Sequence, residues 1–117
     1  MNIKLIETPS GAVAVIHSDM PIITDTQSAL DCMVNAGVYL IAINKEAITE
    51  EFFKLSTGMA GGIVQKFVNY GYRLAIIGDF SRYTSKPLRD YIYECNQGRH
   101  LYFVLSEEEA VKKLGAK

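Results

Sequence analysis

Tryptophan is absent from this chain, and cysteine, proline and histidine are scarce, with two, three and two among 117 residues. Cys32 and Cys95 each stand alone, without the second cysteine of a C-x-x-C pair, and His17 and His100 are remote from them in sequence. The donors of a metal centre are not gathered at ligand spacing, so neither a metal nor a cofactor is expected. Both thiols read instead as small, reduced core residues. Long apolar runs are also missing. The longest, residues 38–43, has the length of a strand and falls far short of the about 20 residues that cross a bilayer. The opening Met1-Asn2-Ile3-Lys4-Leu5 has no signal-peptide h-region, and the expected compartment is the cytoplasm. Neither sign of charge dominates. Twelve basic and thirteen acidic residues leave a net charge of −1, which excludes a nucleic-acid binder that works through bulk charge. Neither G-x-G-x-x-G nor G-x-x-x-x-G-K-[ST] occurs, and no serine has G-x-S-x-G surroundings.

What is present is an ordinary globular composition, 49% hydrophobic and 21% charged. A chain of this length buries about 65% of its unfolded surface, enough for a core without staples. One domain spanning residues 1–117 is expected. Residues 2–7 and 12–16 read as strands joined by Thr8-Pro9-Ser10-Gly11, which is turn chemistry. Thr24, Asp25 and Thr26 are N-cap types before Ala29, Leu30, Met33 and Val34 at helical spacing, and Gly37 closes that helix. Residues 38–43 and 73–77 have the apolar continuity of strands buried on both faces. Between them lie an irregular loop with one helical turn and a helix opened by Ser56-Thr57-Gly58 with the stripe Met59, Ile63, Val64, Phe67, Val68. Thr84 or Ser85 caps a further helix with Pro87 in its first turn. Residues 101–105 form the last strand, and Ser106 with Glu109 has the spacing of a capping box for the last helix. The order β-β-α-β-α-β-α-β-α predicts an α/β fold with one mixed, mostly parallel sheet and helices mainly on one side. Residues 38–43 and 73–77 should be parallel neighbours.

This element order resembles the STAS domain of bacterial anti-sigma factor antagonists. That family carries an Asp-Ser-Ser/Thr-Gly-Leu-Gly motif before its second helix, and Leu55-Ser56-Thr57-Gly58-Met59-Ala60 stands in the same place. Leu55 departs from the motif's acid. The resemblance implies a non-enzymatic regulatory module whose partner is a protein, with Ser56 or Thr57 as a phosphorylated switch. A second copy of the chain is among the expected partners; nucleic acid and membrane are not. The chain is also similar to a family of small bacterial proteins carrying a domain of unknown function. The stretches that carry this likeness are Ile43-Asn44-Lys45-Glu46, Gln65-Lys66-Phe67-Val68-Asn69-Tyr70 and Gly78-Asp79-Phe80-Ser81, with the run that follows through Tyr83 to Glu94.

Two groups of residues could carry chemistry. In open parallel sheets ligands bind beyond the carboxyl ends of the strands. Asn44, Lys45 and Glu46 follow one such strand; Asp79 and Ser81 follow the next, with Arg89 on the helix after it. Lys45, Glu46, Asp79 and Ser81 brought into one crevice would bind a phosphate or another small molecule, or run acid–base chemistry. Asp79 and Ser81 are equally good turn residues, and Lys86 with Asp90 has i,i+4 helix spacing. The second group is Ser56 and Thr57. At a helix N-terminus a phosphate meets free N–H groups and a favourable dipole, with Ser56 the more outward of the two, whereas a plain N-cap needs only one hydroxyl.

Overall fold

The computed structural model describes residues 2–116; Met1 and Lys117, the ends of the expected domain, lie outside the described residues. The described residues form five strands, β1 (Asn2–Thr8), β2 (Gly11–His17), β3 (Leu40–Asn44), β4 (Arg73–Ile77) and β5 (Leu101–Val104), and four helices, α1 (Thr26–Ala36), α2 (Met59–Asn69), α3 (Lys86–Gln97) and α4 (Glu107–Gly115). The strands make one sheet in chain order, β1-β2-β3-β4-β5. β1 and β2 are an antiparallel hairpin; the other three pairings are parallel. The expected α/β architecture is the one observed, with β3 and β4 in register from Leu40 opposite Arg73 to Asn44 opposite Ile77.

The strand order decides where the helices lie. Each right-handed crossover steps the chain one strand in the same direction, so α1, α2 and α3 all fall on one face. There Ala29, Cys32 and Met33 of α1, Ile63 and Phe67 of α2 and Leu88 of α3 close over Ile41, Ile43, Leu74 and Ile76. The opposite face is left to α4, whose Ala110 and Leu114 cover Val13, Val15, Ala42, Ala75 and Tyr102. With both faces covered, β3 is buried at every position, hence its uninterrupted apolar sequence.

Three local readings change. The segment after β3 is three successive 3₁₀ turns, Lys45–Ala47, Glu50–Phe53 and Leu55–Thr57, in place of a loop with one helical turn. Phe52 and Phe53 hold it down, both buried, and Ile23 of the β2–α1 connector pairs with Ile48. Ser56 and Thr57 do not open α2. Gly58 does, in a left-handed conformation (φ 76°) that breaks the chain between the last 3₁₀ turn and the helix. Ser106 caps α4 as expected, accepting from the Glu109 N–H, but the Glu109 carboxylate reaches one residue further back, to the Leu105 N–H.

Candidate functional site

β3 and β4 end at the same edge of the sheet, so the polar residues after them emerge together. They do not all face one another. Asn44, the last residue of β3, is buried; its Oδ1 accepts from the Ser18 N–H (2.9 Å) and its Nδ2 donates to the Ser18 carbonyl (2.7 Å). Both ends of the amide thus pin the chain leaving β2. Glu46 turns the same way. Its carboxyl is held below the usual range first by its own backbone N–H, then by the Asn44 amide and the charges of Lys45 and His17.

Lys45 points in the other direction. Its side chain is 8% exposed and lies along Gly78, where a Cβ would sit 2.8 Å from the lysine's own Cβ. The ammonium is 3.5 Å from Glu50 Oε1, 5.4 Å from the Tyr83 ring centroid and 5.9 Å from that of Phe53. A buried ammonium needs such compensation, and a carboxylate with two aromatic faces supplies it. Glu50 is the hub. The same Oε1 accepts from Arg82 Nη2 (3.3 Å) and from the Tyr83 hydroxyl (2.9 Å). Tyr83 in turn stacks on Phe53 (5.1 Å between centroids, 18° between planes).

Asp79 and Ser81 remain at the surface. Asp79 Oδ1 accepts from the Ser81 N–H at 2.9 Å, and its carboxyl is lowered first by Ser81 and then, more weakly, by the charges of Arg82 and Lys45. This is an Asx turn, close enough to Lys45 to feel its charge, with no direct contact between them. Arg89 is exposed and lines a shallow hollow with Ser81, Phe80 and Tyr83. Lys86 pairs with Asp90 at 2.7 Å, the i,i+4 contact of an exposed helix face.

In front of Glu50, Arg82 and Tyr83 opens a cleft of about 530 Å³, which Phe53, Leu55 and Ser56 also line. Of the sequence candidates only Ser56 lines this cleft; Lys45 reaches its charged wall through Glu50, while Asn44, Glu46, Asp79, Ser81 and Arg89 lie outside it. Ser56 is exposed. The Thr57 hydroxyl is engaged in the turn, donating to the carbonyls of Lys54 (2.8 Å) and Glu51 (3.0 Å) and accepting from the Met59 N–H (3.2 Å). Glu50 is the residue the sequence did not single out. Nothing local separates it from Glu51, and only the second 3₁₀ turn decides which of the two carboxylates faces Lys45.

Among the described residues no three His, Cys, Asp or Glu side chains gather as a metal site. No helix among them is long and apolar enough to cross a membrane. No curated protein and no solved structure matches the chain. The model of the DUF4180 family, a domain of unknown function, matches residues 9–114, and the chain belongs to that family.

Proposed function

We propose that the chain is a non-enzymatic regulatory module of the bacterial cytoplasm, STAS-like in fold, that docks a protein partner at the strand-end cleft and is switched by phosphorylation of Ser56. The observation that carries this reading is the position of Ser56: an exposed hydroxyl on the rim of a cleft whose charged wall is Arg82 held by Glu50 at 3.3 Å. A phosphoserine adds about −1.5 to −2 charge and three strong acceptors. It would compete with Glu50 for Arg82 and rearrange the polar wall that a partner meets. The hydroxyl lies outside the helix and its turn is already exposed, so the modification leaves the core intact. Thr57 is the weaker candidate because its hydroxyl is used inside the turn.

The test is mass spectrometry of the native protein together with Ser56→Ala and Ser56→Asp variants. Phosphate is expected on Ser56, with the aspartate variant losing a partner that the alanine variant retains, at an unchanged melting temperature. Unfolding of the Ser56→Asp variant makes the residue structural and rejects the switch.

One observation favours a second reading, a small-molecule site in the same cleft: the buried Lys45 ammonium sits over Tyr83 with its counter-charge on an exposed glutamate. An anionic ligand that displaced Glu50 would gain both cations. Lys45→Met would then abolish ligand binding, whereas under the switch reading it changes partner affinity alone.

A further inference from the structure

At the opposite end of the sheet a second recess, of about 510 Å³, lies on the α4 face. It is walled by Arg73, Gln97, Arg99, Tyr102, Lys113 and Ala116, residues from the start of β4, the end of α3 and the connection after it, β5 and the end of α4. Three of these side chains are cationic and none is acidic. Among the described residues no carboxylate lies within ion-pair distance of Arg73, Arg99 or Lys113.

Arg73 is fixed in place. Its Nε donates to the Arg99 carbonyl (2.6 Å), Nη1 to the Leu114 carbonyl (3.2 Å) and Nη2 to the Tyr102 hydroxyl (2.8 Å). A guanidinium has five N–H donors, so two are left over. The Tyr102 oxygen accepts from Arg73 and keeps its own proton to donate. The Tyr102 ring lies 5.6 Å from the Arg73 guanidinium carbon and 5.7 Å from Lys113 Nζ. The opposing field is modest. α3 and α4 both end here, and each helix C-terminus contributes about half a negative charge. Among the described residues, three cations against two such ends leave about +2.

We propose that this recess binds a small phosphate monoester. A dianionic phosphate matches the residual charge, meets donors on Arg73 and Tyr102 that are fixed by their mutual hydrogen bond and exposed ones on Arg99 and Lys113, and leaves volume for an organic group of the size small-ligand sites hold. The site is separate from the cleft at the carboxyl ends of the strands and does not depend on the switch proposed there.

The experiment is an NMR titration of the full chain, labelled with ¹⁵N, with inorganic phosphate, with adenosine 5′-monophosphate and with a hexose phosphate, at constant ionic strength set by chloride. Saturable shifts are expected for residues 97–102 and 113–116, with the esters binding more tightly than inorganic phosphate. Arg99→Gln and Lys113→Gln remove charges whose side chains make no ion pair, and each is expected to weaken binding about tenfold. Arg73→Met should abolish it; because Arg73 also holds the end of α4, the other two variants carry the test if that one loosens the fold. Lys86→Gln, which removes a lysine paired with Asp90, should leave binding unchanged. Shifts that merely follow chloride, shifts centred on residues 50–56 and 82–88, or undiminished binding by Arg99→Gln and Lys113→Gln would each overturn the proposal. Inorganic phosphate binding as tightly as the esters would overturn the assignment to an ester.

Discussion

A methyl group added to Gly78 would meet Lys45 Cβ at 2.8 Å, and one added to Gly115 would meet Thr8 Cβ at 2.6 Å. Neither neighbour is the loose end of a side chain, so backbone must move. Gly78→Ala and Gly115→Ala are each expected to destabilise the fold by about 1–3 kcal/mol, the range for overpacking, read as a lower urea midpoint. Gly61, on α2 with open space around it, is the contrasting case: Gly61→Ala should raise stability by about 0.5–1 kcal/mol through the lower conformational freedom of the unfolded chain. Composition marks all three only as glycine, and the difference lies in what faces them. Lys45 shows the same limit. Its place after a buried strand was legible, and it singled the residue out. Its burial was not, because the compensating Glu50, Phe53 and Tyr83 come from two other segments. Asn44 was legible as polar and strand-terminal, yet its amide serves the Ser18 backbone, a partner 26 residues away.

Helix ends were more readable, because caps are local chemistry. Of the three N-cap types around the start of α1, Thr24, Asp25 and Thr26, Asp25 is the one that caps. Its carboxylate accepts from the Ser28 N–H (2.8 Å), while the Ser28 hydroxyl meets the Asp25 N–H (3.0 Å). These contacts, the Ser28 N–H foremost, hold the Asp25 carboxyl below its ordinary value of 3.8. A lowered folded value means that the stabilisation is fully present above the unfolded value and is lost as pH falls through the folded one. Asp25→Asn keeps the cap but removes the titration. Its urea midpoint should therefore fall less steeply than that of the parent chain below about pH 4. At α4 the hydroxyl does the capping, and Ser106→Ala should cost about 1 kcal/mol in a urea titration at neutral pH. The start of α2 was misread for an equally physical reason. Ser-Thr-Gly satisfies cap statistics at every position, and only the left-handed Gly58 places the helix after it.

For the molecule as a whole, the strand order explains both what was legible and what was not. Alternating strands and helices dictate a parallel sheet, and a sheet that adds strands in chain order has no reversal point where a crevice must form. Recessed surface is then left to irregular segments: the 3₁₀ turns after β3, and the bottom of the sheet where α3 and α4 end. The recess there draws on residues 73, 97–102 and 113, too scattered to register as a basic stretch in a chain of net charge −1.

The same architecture predicts how the molecule opens. Cys32 lies under α1 at 5% exposure, and burial pushes its thiol up to about 11, whereas Cys95 on α3 is half-buried. Burial raises the Cys95 thiol as well, but Cys32 is the more deeply buried of the two, and at pH 8 only a very small fraction of it is thiolate in the folded chain. Ala29, Cys32 and Met33 share one continuous core with α2, α3 and the strands, so α1 has no private set of contacts to release. A disulfide reagent at pH 8 should therefore label Cys95 first and Cys32 in a much slower phase. In a Cys95→Ser variant that single slow phase should accelerate with urea along the slope of global unfolding. A slow phase indifferent to low urea would mean that α1 lifts from the sheet alone, and that the three-helix layer is not one cooperative unit.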